Sequence, residues 1–196
     1  MSTTKPIKDK TDLETIKNYY LDKKEYRNYT LIIIGLNTAL RISDILSLTW
    51  KDVYHYKKNQ FHNHIYLTEK KTGKRRIIKV NADFRKHILD CYNALRISDM
   101  SEHCFLSKKK VVFTIQRVNV RLKEIKSKYN LKIEHFSTHS MRKTFGRRVV
   151  ESAGENTEMA LIKLSELFNH STPQITRRYL GLRQEELMEV YDTLIF

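Results

Sequence analysis

Apolar positions along this chain recur at two different periods, and the switch between them sets out the elements. In residues 26–39, Leu31, Ile32, Ile34 and Leu36, with Leu40 just beyond, supply a buried face at helical spacing. Before it, Thr11 and Glu14 have the spacing of a capping box and predict a helix through about Asp22. Residues 42–48 predict a short third helix with Arg41 at its entrance, and Trp50 and Val53 read as core anchors. The pattern then becomes β-compatible. Residues 62–68 and 75–80 are rich in Ile, Tyr and Val, and the segment between them contains Gly73, which predicts a hairpin.

Helical spacing returns after the hairpin. Asn81 is placed to cap a helix over residues 82–96, and residues 114–128 align Val118, Leu122 and Ile125 on one side. Thr138 is the expected cap of a helix through Ser152 that Gly154 would end, and a helix over 158–168 follows. Ser171 or Thr172 would cap a last body helix with Pro173 in its first turn and Tyr179 on it. Beyond Arg183, Leu187, Val190, Tyr191 and Leu194 alternate with Glu185, Glu186, Glu189 and Asp192, which predicts an amphipathic tail. The expected fold class is mainly α with a small antiparallel β-sheet. No repeat, linker or break in composition divides the body.

Composition adds a partner to this outline. The 196 residues are 40% hydrophobic, enough for a core, and 37 Lys and Arg against 22 Asp and Glu give a formal charge of +15. A solubilising surface would account for part of that charge, but a polyanion is the first partner to consider. Cys91 and Cys104 lack the spacing of a zinc site or a disulfide framework. The start of the chain has no signal-peptide pattern, and the aliphatic run at residues 31–34 is far too short to cross a membrane.

Six residues carry the candidate chemistry: Arg41, Lys71, His139, Arg142, His170 and Tyr179. Each alone reads as ordinary, since a single Arg among 37 cations is usually a solvated group and a single His is usually structural. Their order is more informative. His139 and Arg142 are three apart and so share one side of a helix near its N-terminus, where unpaired amides would suit a phosphate. Tyr179 follows His170 by nine residues and has Arg177 and Arg178 beside it. No Asp/Glu cluster has the arrangement of a two-metal nuclease.

These residues fall in ALRISDILSLTW (39–50), THSMRKTF (138–145) and NHST (169–172) leading to RYL (178–180), with KTGKR (71–75) between the first and second. In these boxes the chain resembles the catalytic domain of the tyrosine recombinase, or phage integrase, family, and in having only a short segment before Tyr29 it is similar to the small invertases that switch fimbrial promoters. Asn169 replaces the glycine more often found before the third-box His, and Asp44 a frequent glutamate. The resemblance implies Tyr179 as nucleophile, Arg41 and Arg142 as phosphate clamps, and His139 and His170 as the hydrogen-bonding and proton-handling pair. It implies Lys71 as general acid for the leaving 5′-oxygen, with Lys70 and Lys74 close enough to compete for that role.

The resemblance further implies a site-specific DNA recombinase that works through a 3′-phosphotyrosine bond without metal, ATP or other cofactor. Its partners would be double-stranded DNA recombination sites, further copies of itself in a tetramer on paired sites, and a DNA-bending accessory protein. It would work in the bacterial cytoplasm, associated with the nucleoid and not with a membrane. Residues 1–28 are expected as a short extension with a helix, too short for a separate core-binding domain. The catalytic domain would span residues 29–180, and residues 181–196 would form a tail that docks on a neighbouring protomer or packs on its own body. A tyrosine-type DNA topoisomerase and a non-catalytic DNA-binding module are the competing readings.

Overall fold

The computed structural model describes residues 4–192, without the side chains of Gln184 and Val190. Helices α1 (Lys10–Asp22) and α2 (Tyr26–Asn37) lead into the short α3 (Ile42–Ser47) and α4 (Trp50–Val53). Two antiparallel pairs follow, β1 (Tyr54–His55) with β2 (Gln60–Phe61) and β3 (His64–Thr68) with β4 (Arg75–Lys79). Then come α5 (Ala82–Leu95), α6 (Ile115–Tyr129), α7 (Thr138–Glu151), α8 (Thr157–Phe168), α9 (Pro173–Leu180) and α10 (Leu182–Asp192). The mainly helical class with a small antiparallel sheet is what the sequence predicts, except that the sheet is two separate pairs.

Every residue of α2 from Tyr29 to Leu36 is buried, so this helix is covered all round and forms the centre, against α1, α5 and α7. The main core gathers around it from Ile7 to Met141 and includes Leu13, Ile16, Tyr19 and Tyr20 of the N-terminal region. A second, smaller core of Val150, Leu161, Leu164, Phe168 and Leu180 joins α7, α8 and α9. Gly146 on α7 makes that junction close. A Cβ there would lie 2.7 Å from Leu180 Cδ2 and 2.9 Å from Phe168 Cζ, so a side chain would force the Leu180 and Phe168 side chains out of their present packing.

The β3–β4 register pairs Ile65 with Ile78 and Tyr66 with Ile77. Ile65 faces inward while Tyr66 and Ile77 are exposed, the alternation of a one-sided hairpin. Gly73 supplies the left-handed residue of its turn, with φ of 67°.

Several helix ends lie a residue or more from where the sequence places them. Asp9, not Thr11, caps α1, its carboxylate accepting from the Thr11 amide at 2.7 Å. Ser137, not Thr138, caps α7. Gly154 does not end α7, which stops at Glu151; it opens a 3₁₀ turn ahead of α8. Asn81, Thr114 and Thr172 cap α5, α6 and α9 through their side chains.

The tail forms a helix, and its acidic side is divided: Glu189 and Asp192 are exposed, while Glu185 and Glu186 meet the body. Glu185 accepts from Lys8 at 2.5 Å and Arg147 at 2.6 Å, and Glu186 pairs with Arg177. Leu187, Met188 and Tyr191 stay exposed, and Leu194 lies outside the described residues.

Candidate active site

The site is organised by the C-terminus of α8. Asn169 takes the left-handed conformation, with φ of 54°, and stops the helix after Phe168. That geometry favours glycine and tolerates asparagine next, so Asn169 keeps the turn in which glycine is more frequent. The last turn of α8 is left with outward carbonyls at its negative end. Three arginines take them. Arg76 donates to the Glu166 oxygen at 3.3 Å and to the Leu167 oxygen, while Arg142 at 2.9 Å and Arg41 at 3.4 Å both donate to the Phe168 oxygen.

Arg41 arrives from the N-cap of α3, and Arg142 projects from α7 with 5% of its surface exposed. The Arg142 guanidinium also lies over the Phe168 ring, 4.6 Å from its centre, and its Nη1 is buried without a hydrogen-bond partner among the described residues. Burial lowers its pKa to about 10, which leaves it charged at neutral pH. A buried guanidinium nitrogen with an unpaired N–H is suited to an oxygen anion.

Glu69 ties this cradle to the hairpin. It is 1% exposed, its Oε2 accepting from Arg41 at 3.0 Å and Thr72 at 2.6 Å and its Oε1 from Arg76 at 2.9 Å. Burial works against its charge, but the Thr72 hydroxyl, Arg76 and Arg41 outweigh it and hold the carboxyl at about 2. Asp44, also buried, accepts from the Lys70 amide at 2.9 Å and so fixes the start of the turn to α3. Neither acid was among the six candidates. Glu69 continues the inward set of Ile65 and Leu67, so strand alternation carries a signal for it; Asp44 has none beyond its place in the first box.

His170 and Tyr179 complete the cluster. Thr172 caps α9 and Pro173 starts it, which places Tyr179 on its last turn. The Tyr179 ring meets the Phe168 ring edge-on at 5.6 Å and the His170 ring at 5.2 Å. Its hydroxyl has no hydrogen-bond partner among the described residues. Burial raises the Tyr179 pKa while Arg142 and Arg41 pull it down, with burial the larger effect. His170 Nδ1 shares a hydrogen with the Thr176 hydroxyl at 2.9 Å, leaving Nε2 for a ligand as donor or acceptor according to tautomer. Burial, then Arg142 and Arg41, lower its pKa to about 4, so it is neutral at physiological pH.

His139 and Arg142 do share a side of α7, but at different depths, with His139 exposed. Desolvation, then the charges of Arg142, Lys143, Arg41 and Lys71, lower the His139 pKa. The α7 N-terminus is not an open phosphate site. Its first amides are taken by Asn119 Oδ1 at 2.9 Å for Thr138, and by Ser137 for His139 and Ser140. Lys71 stands exposed on the turn with no hydrogen bond or ion pair among the described residues, whereas Lys74 donates to Asn169 Oδ1 at 2.6 Å. Among the described residues no three His, Cys, Asp or Glu side chains gather as a metal site, and no helix is long and apolar enough to cross a membrane.

Residues 9–186 match the model of the phage integrase family. The chain is 34% identical over 195 residues to the probable integrase/recombinase YoeC of Bacillus subtilis (strain 168), covering 97% of each. Among solved structures it is similar to XerA recombinase, with a TM-score of 0.69 at 16% identity over 100% of this chain and 68% of that one. It is also similar to the XerH site-specific recombinase bound to a palindromic difH substrate, with a TM-score of 0.67 at 19% identity over 97% of this chain and 54% of that one. At these identities the two structures share the fold.

Proposed function

On the premise that this chain belongs to the phage integrase family, as a site-specific tyrosine recombinase, we propose that Tyr179 is its nucleophile and the arginine cradle its phosphate site. One observation carries the reading. Arg41 and Arg142 converge on the Phe168 carbonyl while the His170 and Tyr179 rings pack against the Phe168 side chain, so one residue gathers four of the six candidates.

The Tyr179 oxygen attacks the scissile phosphorus of a DNA duplex, a 3′-phosphotyrosine bond forms, and the bond to the 5′-oxygen breaks. Charge gathers on the nonbridging oxygens, where Arg142 Nη1 and the Arg41 guanidinium are already held. Because burial holds the phenol protonated at rest, its proton leaves during attack, with neutral His170 and His139 as hydrogen-bonding and proton-accepting groups. Lys71 gives its proton to the leaving 5′-oxygen. A 5′-hydroxyl from a partner duplex then attacks the phosphotyrosine, releases Tyr179 and joins the exchanged strands. Each step exchanges one phosphate ester bond for another, so religation needs no ATP.

The partners proposed are duplex recombination sites and three further copies of the chain in a tetramer on two sites, aided by a DNA-bending protein at the nucleoid. The exposed Leu187, Met188 and Tyr191 on α10 support contact between protomers, while Glu185 and Glu186 hold the same helix to its own body. Removing residues 187–196 should spare binding to a single site and impair pairing of two sites in ultracentrifugation. The activity itself is tested with two marked duplexes carrying recombination sites. Exchanged products support the assignment, and relaxation of supercoils without exchange would point to a topoisomerase instead.

A further inference from the structure

Lys143 follows Arg142 on α7, and the run of two cations reads as surface charge, yet only 6% of Lys143 is exposed. A buried ammonium needs acceptors to offset its lost hydration. One comes from the start of the chain, where the Thr4 carbonyl accepts from Lys143 Nζ at 2.6 Å. The same ammonium lies over the Tyr179 ring, 4.8 Å from its centre.

The segment that supplies the carbonyl is itself held down. The Thr4 hydroxyl is 3.0 Å from that of Ser137, the α7 cap, and the Ile7 amide donates to Thr144 Oγ1 at 2.8 Å. Thr4, Pro6 and Ile7 are all buried. Residues 4–7 therefore form a strap along α7, bonded just before and just after the stretch that carries His139 and Arg142.

We propose that Lys143 is a positioning residue for Tyr179, and that the strap is part of the active site because its Thr4 carbonyl holds the Lys143 ammonium over the nucleophile's ring. This rests on Tyr179 being the nucleophile. The physical case has two parts. With no hydrogen bond on the Tyr179 hydroxyl among the described residues, the ring plane is set by packing, and a cation on the ring face adds an attraction that two edge-on aromatic contacts lack. A fixed positive charge beside the ring also favours the phenolate as it forms.

The test is single-turnover cleavage of a nicked suicide substrate at saturating DNA, with affinity and thermal stability measured beside it. Lys143→Met should slow formation of the Tyr179 adduct about tenfold while leaving DNA affinity near the wild-type value, and Lys143→Arg should recover most of the rate. Deleting residues 1–5 should slow cleavage to a similar extent, and combining the deletion with Lys143→Met should add nothing further, since both remove one linkage. A purely structural role would lower the melting temperature of both variants, with cleavage per folded molecule unchanged. That result, or losses that multiply in the combined variant, would overturn the inference. Wild-type protein that forms its adduct on another tyrosine, or forms none, would instead overturn the assignment of Tyr179, and the inference with it.

Discussion

The arginines at the end of α8 and the lysines at the β3–β4 turn carry the same charge in the same neighbourhood, yet their settings are opposite. Arg41, Arg76 and Arg142 are largely buried, oriented by carbonyls and by the carboxylate of Glu69. Lys70 and Lys71 are exposed, and Lys71 meets no acceptor among the described residues. The two groups have different work. Charge that must meet a transition state is effective when it needs no reorganisation at the moment of reaction. A proton donor must reach a leaving atom and then be reprotonated, which a mobile ammonium at a hairpin tip does better than a fixed guanidinium.

The largest expected effect tests the rigid half. Arg142→Ala should slow cleavage on saturated DNA on the order of 10³-fold while weakening binding little, because its free Nη1 is assigned to transition-state charge. Arg142→Lys should stay slow as well, since an ammonium cannot hold the Phe168 carbonyl and a phosphate oxygen in one planar fork. A normal rate in either variant would remove Arg142 from the reaction. Phe168 itself makes a poor target, because removing a fully buried phenylalanine costs about 3–5 kcal/mol of stability and confounds the rate.

The exposed half predicts a smaller loss with a chemical signature. Lys71→Ala should slow cleavage about 10²-fold. A substrate whose leaving 5′-oxygen is replaced by sulfur, which departs without protonation, should restore it. Lys74→Ala should not be restored in this way, since Lys74 is engaged with Asn169. Rescue of Lys74→Ala alone would exchange the two roles.

The smallest effect tests the link between the halves. Glu69→Gln should slow cleavage about tenfold, the rate equivalent of a charged hydrogen bond weakened by roughly 1.4 kcal/mol. It should also change the response to acid. The Glu69 carboxyl titrates at about 2 in the folded protein against an ordinary 4.5, so its stabilisation is complete above pH 4.5 and is lost as pH falls from there toward 2. In denaturant titrations Glu69→Gln should be less stable than wild type at pH 7, with the gap closing across that window. A constant gap would mean that the Glu69 charge is not what holds Arg41 and Arg76.

Much of this division is legible in the sequence. Helical and alternating spacing, with the capping residues, locates the hairpin and the helices from α1 to α9 other than the four-residue α4, and the ordered boxes give the six candidates. The misses have physical causes. Capping depends on which of two adjacent polar residues adopts extended backbone, so Ser137 and Thr138 look alike in sequence. β1 and β2 have two residues each, too few to show a period. Spacing puts His139 and Arg142 on one side of a helix without saying that one is exposed and the other buried. Glu69 was assigned to the turn although it continues the inward face of β3. Lys143 and the strap have no local signal, because only a contact across 139 residues shows why that cation is buried.

The central claim is that the cradle of arginines serves Tyr179, and trapping the covalent intermediate tests it most directly. A nicked suicide substrate carrying the recombination site, incubated with the protein and digested to peptides, should yield DNA joined through its 3′-phosphate to the peptide containing Tyr179, and Tyr179→Phe should give no adduct while folding normally. An adduct on any of the other tyrosines, or an undiminished adduct in Tyr179→Phe, would contradict the account.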